Sequence, residues 1–182
     1  GYADIVDLLL SKGADVESKD RNEKTPLMHA AQNGHSNVGV LLLSRGADKE
    51  AKDVSRHNAL LWSVSDGHKD MVELLLSSGS DIEVKDSAGK TPLIYAAQEG
   101  YIEMTEVLLN KGANINAKDD NGRNAVLCAA RQGHTKVVEL LFTKGAQLDA
   151  GKPISNSSTD NFKNNTPSSV ESLELILDVR SN

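Results

Sequence analysis

The chain has 182 residues, of which 38% are hydrophobic and 3% aromatic, and its formal net charge is -6 at pH 7. This size and composition suit one ordinary domain or a short repeat array, while the acidic total argues against nucleic-acid binding. No apolar run reaches the roughly 20 residues of a membrane span, and no signal peptide precedes the first periodic segment. With a lone cysteine, Cys128, the sequence favours a soluble protein of the cytoplasm, with the nucleus as an alternative.

The first residues already follow a helical pattern. The stretch ADIVDLLLSKGAD begins at Ala3, directly after Gly1 and Tyr2, and spaces its apolar residues as a helix does. We therefore expect the sequence to be a piece of a longer protein. Residues 1–19 would form the second half of a truncated unit whose full copies follow.

From residue 20 to residue 151 the chain repeats itself. Aspartates and glycines recur every 33 residues, at Asp20, Asp53, Asp86 and Asp119 and at Gly34, Gly67, Gly100 and Gly133. A fixed step of this length is typical of stacked repeat proteins. It defines four full units, at residues 20–52, 53–85, 86–118 and 119–151.

Each unit is predicted to contain two helices and a connecting finger. Thr25 before Pro26 is an N-cap hydroxyl followed by a proline with no N–H to leave unsatisfied, which starts an inner helix; Asn58 takes over as the cap in a unit without proline. An outer helix such as KVVELLFTKG ends at Gly145. About a dozen polar residues then lead to the next inner helix, which predicts a turn-rich hairpin, here called the finger.

Two of the fingers depart from the pattern of the others. Glu23 and Arg56 stand where the later units have Gly89 and Gly122. If this position needs a positive φ, a residue other than glycine is strained there. The sequence therefore predicts strain in the first two fingers.

These residues resemble the ankyrin repeat family, on the strength of D..GKTPLIYAAQEG, GH..VVELL and GANINAKD at a 33-residue step. The resemblance covers residues 1–151. It implies an all-α repeat solenoid of stacked helix-turn-helix units with short β-hairpin or turn fingers, whose inner helices and fingers line a concave, protein-binding surface. The residues require the same stacking, because no single unit can bury its apolar face alone.

The tail changes character after the last unit. Residues 152–171 are polar and rich in Ser and Asn, which predicts a loop or disordered insert. Residues 172–182, SLELILDVRSN, can be aligned with the outer helices and are interpreted as the outer helix of a degenerate terminal repeat. Alternating Leu173, Leu175, Leu177 and Val179 leave a strand as the alternative.

No catalytic, cofactor or metal site is predicted. His35, His68 and His134 occupy one slot of different units, about 10 Å apart or more, whereas zinc ligands lie ~2 Å from a common ion. A hydrogen-bonding role at the inter-helix turn is the simpler interpretation, and Cys128 is predicted to be a small buried residue. Asn116 resembles the asparagine that intracellular hydroxylases modify in ankyrin arrays.

The resemblance places partner-contacting positions at the finger tips and on the exposed sides of the inner helices. Over these positions we count nine basic and three acidic side chains, so the concave face would suit an acidic or mixed partner segment. The finger aspartates next to the lysines reduce that surplus, which is the opposing interpretation. The candidate partner-binding residues are Arg21, Lys24, His29, Asn33, His57, Trp62, Ser65, Asp66, Lys90, Tyr95, Gln98, Glu99, Arg123 and Arg131.

Trp62 is the most distinctive of these residues. It shares a slot with His29, Tyr95 and Cys128, and a partly exposed Trp is the residue type that most often anchors an interface. The alternative is that it fills space between units. As an anchor, its change to alanine would weaken partner binding by ~2 kcal/mol or more and leave thermal unfolding nearly unchanged.

The sequence therefore predicts a protein-interaction module without enzymatic activity, binding a partner polypeptide through the concave face, with a monomer favoured. One alternative is binding of nucleic acid or an anionic membrane through the same lysines, which would require steep salt dependence. Another is a targeting array attached to a catalytic domain outside this sequence.

Overall fold

The computed structural model describes residues 2–147, which form nine helices. The helices alternate between short inner helices and longer outer ones. Their bounds are α1 Ala3–Ser11, α2 Pro26–Gln32, α3 Ser36–Ser44, α4 Ala59–Ser65, α5 Lys69–Ser77, α6 Pro92–Gln98, α7 Ile102–Asn110, α8 Ala125–Gln132 and α9 Thr135–Thr143. The predicted insert at residues 152–171 and the predicted terminal helix at residues 172–182 lie outside the described residues.

Side-chain caps start all four inner helices. In each case the oxygen of the residue before the helix accepts the backbone N–H three residues on, which satisfies a donor that the helix leaves without a partner. Oδ1 of Asn58 accepts the N–H of Leu61 at 3.0 Å and replaces the threonine hydroxyl that caps the first inner helix. The four caps are Thr25, Asn58, Thr91 and Asn124.

The units stack on each other in chain order. Each inner helix packs against the next, α2 on α4, α4 on α6 and α6 on α8, and each also packs against its own outer helix. Leu60, Leu61 and Val64 of α4, with Met71 and Leu75 of α5, are completely buried between these layers. This is the all-helical repeat architecture that the sequence predicts, since each apolar face is covered by a neighbouring unit.

The fingers are closed turns, and no strand is assigned within residues 2–147. In the second finger the N–H of Asp53 donates to the carbonyl of His57, and the N–H of Arg56 donates back to the carbonyl of Asp53. Single backbone bonds join consecutive fingers, as from the N–H of Val54 to the carbonyl of Asn22 at 3.1 Å. The fingers therefore form a row along one side of the stack.

The structure confirms the predicted strain in the first two fingers. Glu23 and Arg56 both have φ of 62°, in the left-handed region, and Gly89 and Gly122 have φ of 74° at the same position. A side chain there costs about 1–2 kcal/mol relative to ordinary backbone conformations. The turn geometry requires this φ in every finger, whatever residue occupies the position.

Arg56→Gly is expected to raise the free energy of unfolding by about 0.5–1 kcal/mol, because relief of the left-handed strain exceeds the extra flexibility of glycine in the unfolded chain. Chemical denaturation measures the change. Val54→Gly is the matched control: Val54 is exposed in the same finger and is not among the residues with positive φ. Val54→Gly makes the unfolded chain more flexible but relieves no left-handed strain in the folded state. Increased stability of this variant would therefore contradict the explanation.

Candidate functional site

An aspartate organises each finger. In the second finger Oδ1 of Asp53 accepts the backbone N–H groups of Ser55 and His57, both at 2.9 Å, so this carboxylate holds the turn closed. The same pair of bonds recurs in the other three fingers, around Asp20, Asp86 and Asp119. Asp53, Asp86 and Asp119 are buried. In the first three fingers the second oxygen of the carboxylate faces a side chain of the inner helix.

That second oxygen accepts a hydrogen bond from the side chain at the position of Trp62 in the same unit. The donor groups are His29 Nε2 to Asp20 at 3.0 Å, Trp62 Nε1 to Asp53 at 3.0 Å and Tyr95 Oη to Asp86 at 2.7 Å. In the fourth unit the slot holds Cys128, and the guanidinium of Arg123 binds Asp119 instead, with two contacts of 2.8 Å. Three of the four residues in this slot, His29, Trp62 and Tyr95, thus donate a hydrogen bond to the aspartate of their own finger.

The ring of His57 lies between Trp62 and Tyr95, which occupy the same slot in consecutive units. Its ring centroid lies 5.0 Å from that of Trp62 and 5.7 Å from that of Tyr95, and its Nε2 lies 3.0 Å from the Tyr95 hydroxyl. Because that hydroxyl donates its proton to Asp86, Nε2 of His57 must be the donor to the Tyr95 oxygen. Nδ1 then carries a lone pair; it is buried, has no hydrogen-bond partner among residues 2–147, and lies 4.0 Å from Asp53 Oδ1. We call Trp62, His57 and Tyr95 the ring cluster.

Two lysines cover the ring cluster. The ammonium of Lys24 lies 3.4 Å from the Trp62 ring centroid and donates to Gln32 Oε1 at 2.9 Å. That of Lys90 lies 5.2 Å from the Tyr95 centroid and donates to Gln98 Oε1 at 2.8 Å. Cations on ring faces contribute ~0.5–2 kcal/mol. The lysines, the ring cluster and the exposed sides of α2, α4, α6 and α8 form a surface that we call the inner face.

The remaining candidates lie around this centre. Arg123 is half-buried against Asp119, and its hydrogen bonds, with those of the finger backbone, outweigh burial and lower the pKa of Asp119. Ser65 is half-buried at the last residue of α4. The other candidates, Arg21, Asn33, Asp66, Glu99 and Arg131, are exposed at finger tips or inner-helix ends. These residues remain predicted partner-binding positions.

The structure corrects one expectation about Trp62. The sequence predicts that Trp62→Ala would leave thermal unfolding nearly unchanged. The indole, however, donates to the buried carboxylate of Asp53 and packs against His57. Its removal leaves a buried acceptor with one partner fewer, which costs about 1–3 kcal/mol. Trp62→Ala would therefore lower stability together with binding, and it is a poor probe of binding alone.

The finger aspartates were not among the candidate residues. Their recurrence at a strict 33-residue step is visible in the sequence, but the step alone does not say that the carboxylates turn inward. Closing the turn uses only one oxygen of the carboxylate. The need for a donor to the other oxygen is the signal that could have linked Asp53 to Trp62, nine residues further along the chain. In the sequence these aspartates mark the repeat step and offset the charge of the neighbouring lysines.

Other residues with a proposed chemical role have structural partners. His68 Nε2 lies 3.0 Å from the carbonyl oxygen of Gln32 in the preceding unit, the hydrogen-bonding role predicted for this slot. Burial raises the pKa of the Cys128 thiol, so the neutral thiol is favoured. Asn116 Oδ1 accepts the N–H of Gln147 at 3.0 Å. Within residues 2–147, no group of three or more His, Cys, Asp or Glu side chains is arranged to hold a metal ion.

The ring cluster makes stability depend on pH. Burial lowers the pKa of His57 below its ordinary 6.5; Asp53 and Asp86 oppose this effect, and Lys24 and Lys90 add to it. Between the lowered pKa and 6.5 the unfolded chain binds more protons than the folded one, so stability falls as pH falls through this range.

Wild type is therefore expected to lose more free energy of unfolding than His57→Phe between pH 7.5 and pH 5.5, as measured by denaturant titration at each pH. Phenylalanine retains ring contacts with Trp62 and Tyr95 but does not titrate. The other four histidines are common to both proteins. Equal losses in the two proteins would refute the assignment of this pH dependence to His57.

The fold and the inner face define a class, that of helical repeat proteins that present a continuous surface assembled from consecutive units. The family model for ankyrin repeats, described as three copies, matches residues 1–86 and 60–152. The chain therefore belongs to the ankyrin repeat family, whose members are generally protein–protein interaction modules. No curated protein matches the chain significantly. Among the described helices, none combines the length and apolar character needed to cross a bilayer.

Proposed function

We propose that this array is a scaffold or adaptor that binds a partner polypeptide through the inner face, centred on the ring cluster. The observation that carries the proposal is the half-buried, continuous contact of Trp62, His57 and Tyr95 across two units. Aromatic side chains held rigid at the centre of a surface are typical anchors of protein interfaces. The proposal includes a non-catalytic role and a cytoplasmic setting.

The geometry favours a polypeptide as the ligand. The inner face extends over consecutive units and contains donors such as Lys24 and Lys90, with the exposed acceptors Asp66 and Glu99 at the ends of α4 and α6. A peptide backbone also carries both kinds of group along its length. A surface of this form can contact several residues of one extended segment at the same time.

The test is a blocked inner face compared with an equal change on the outer helix of the same unit. Ser65→Arg adds a long side chain beside the ring cluster, whereas Ser77→Arg adds the same side chain to the end of α5, where Ser77 is exposed. Proteins retained from cell extract by the wild-type array should also be retained by Ser77→Arg and lost by Ser65→Arg. Circular dichroism checks that both variants are folded.

Equal retention by all three proteins would refute the inner face as the binding surface. Loss by both variants would show a general effect of added positive charge and would refute it equally. Neither substitution removes a hydrogen bond of the finger aspartates, so the comparison separates binding from the structural role of Trp62.

A further inference from the structure

The two lysines of the inner face make no direct ion pair within the described part of the chain. Lys24 and Lys90 are half-buried, and among residues 2–147 no carboxylate lies within 4.0 Å of either ammonium. Each ammonium donates one hydrogen bond to a glutamine and can donate three. Charges that have lost part of their hydration gain more from a counter-ion than fully exposed ones do.

The nearby carboxylates of Asp53 and Asp86 carry negative charge beside the same ring cluster, but neither makes a direct ion pair with the two lysines among the described residues. Both oxygens of Asp53 and Asp86 are already engaged, one with the finger backbone and the other with Trp62 or Tyr95. At the fourth unit, by contrast, Arg123 is neutralised by Asp119 through two contacts. Within residues 2–147 the inner face therefore presents two ammonium groups that no carboxylate contacts, at the first and third full units, rather than a uniform basic stripe.

The distance between the two lysines favours an extended ligand over a helical one. They occupy the same position two units apart, 66 residues along the chain. Helix layers are separated by roughly 8–10 Å, so two layers span roughly 16–20 Å. Six residues span roughly 19–20 Å in a polyproline II or β conformation, and both conformations place residues six apart on the same side. In an α-helix six residues span only about 9 Å.

We propose that the inner face binds an extended acidic segment in which two carboxylate side chains six residues apart contact Lys24 and Lys90. The residues between them pass over the ring cluster, with the middle one opposite His57. Gln32 and Gln98 hold the two ammonium groups in place before binding, so little side-chain freedom is lost when the carboxylates arrive. This inference rests on the proposed function and specifies the partner's chemistry.

The test uses synthetic proline-rich peptides with two glutamates and a fluorescent label, measured by anisotropy. In one peptide the glutamates are six residues apart, in a second they are three apart with the same composition, and in a third both are glutamine. We expect the first peptide to bind at least about tenfold more tightly than the other two. Lys24→Gln and Lys90→Gln should each weaken its binding about tenfold.

Lys69→Gln is the control variant, because it removes the same charge from α5, where Lys69 faces Glu73 at 3.9 Å. It should bind the first peptide like wild type. Equal binding of both glutamate peptides, or equal effects of all three substitutions, would overturn the inference. So would tighter binding of a single-stranded oligonucleotide or of phosphatidylserine vesicles than of the first peptide.

The two proposals can fail separately. If no peptide binds, while Ser65→Arg still abolishes retention of a cellular protein and Ser77→Arg does not, the acidic partner is wrong and the inner face remains the binding surface. If the first peptide binds as expected but Ser65→Arg leaves that binding unchanged, the peptide lies elsewhere and both proposals are wrong.

Discussion

Asp53→Ala is expected to lower the free energy of unfolding by about 3 kcal/mol. The substitution removes the acceptor for two finger N–H groups and for the Trp62 indole, and it does so at a buried position. Each buried donor left without a partner costs about 1–3 kcal/mol, partly offset where water reaches the finger. Chemical denaturation followed by circular dichroism measures the loss.

Two companion variants show whether the loss comes from the hydrogen bonds. Asp53→Asn retains one oxygen, which can still close the turn, and should cost less than Asp53→Ala. Asp20→Ala removes the equivalent bonds from an exposed finger, where the second oxygen faces the exposed His29, and should also cost less. If Asp20→Ala is as damaging as Asp53→Ala, burial is not the cause of the larger effect.

Gly89→Ala is expected to destabilise the array by about 2–3 kcal/mol. Gly89 has φ of +74°, and a Cβ atom there would lie 2.3 Å from Oδ1 of Asp120 and 2.8 Å from its backbone nitrogen. The N–H of Asp120 donates to the carbonyl of Ala88, so relief of this clash would disturb the bond between the third and fourth fingers. The expected cost combines left-handed strain with overpacking.

Gly122→Ala provides the matched comparison. Gly122 has the same φ of +74°, but a Cβ atom there would meet no other atom of residues 2–147 within 4 Å. We expect this variant to lose about 1 kcal/mol, from strain alone. The difference between the two thermal unfolding midpoints reports the contact with Asp120, and equal losses would show that the finger-to-finger contact contributes nothing.

The features that were predictable from the sequence are local or periodic. Asn58 and Asn124 act as caps because the cap requires only an acceptor three residues before a free N–H. The strain at Arg56 follows from comparison with Gly89 one unit further on. Stacking follows from apolar faces that no single unit can cover. Each of these three inferences uses neighbouring residues or the repeat step, and none of them requires the side-chain contacts between units.

The inner face was predictable only as a set of positions. The slot comparison placed Trp62 and Tyr95 on one surface, but it could not show that their polar atoms bind finger aspartates, nor that His57 joins them. The charge count also treats all bases alike, whereas among the described residues Arg123 forms an ion pair and Lys24 and Lys90 donate hydrogen bonds only to neutral glutamines. Such differences depend on side-chain rotamers and on contacts between units, which a repeat step does not encode.

The lysine that covers Trp62 comes from the preceding unit, and the hydroxyl that accepts from His57 comes from the following one. The ring cluster with its covering lysine, the centre of the proposed binding surface, is therefore assembled from three consecutive units, and no single unit contains it. If a ligand binds there, its binding and the folding of these units are thermodynamically linked. Local unfolding of the first full unit would weaken the affinity even if that unit did not contact the ligand. A bound ligand would in turn stabilise that unit against unfolding.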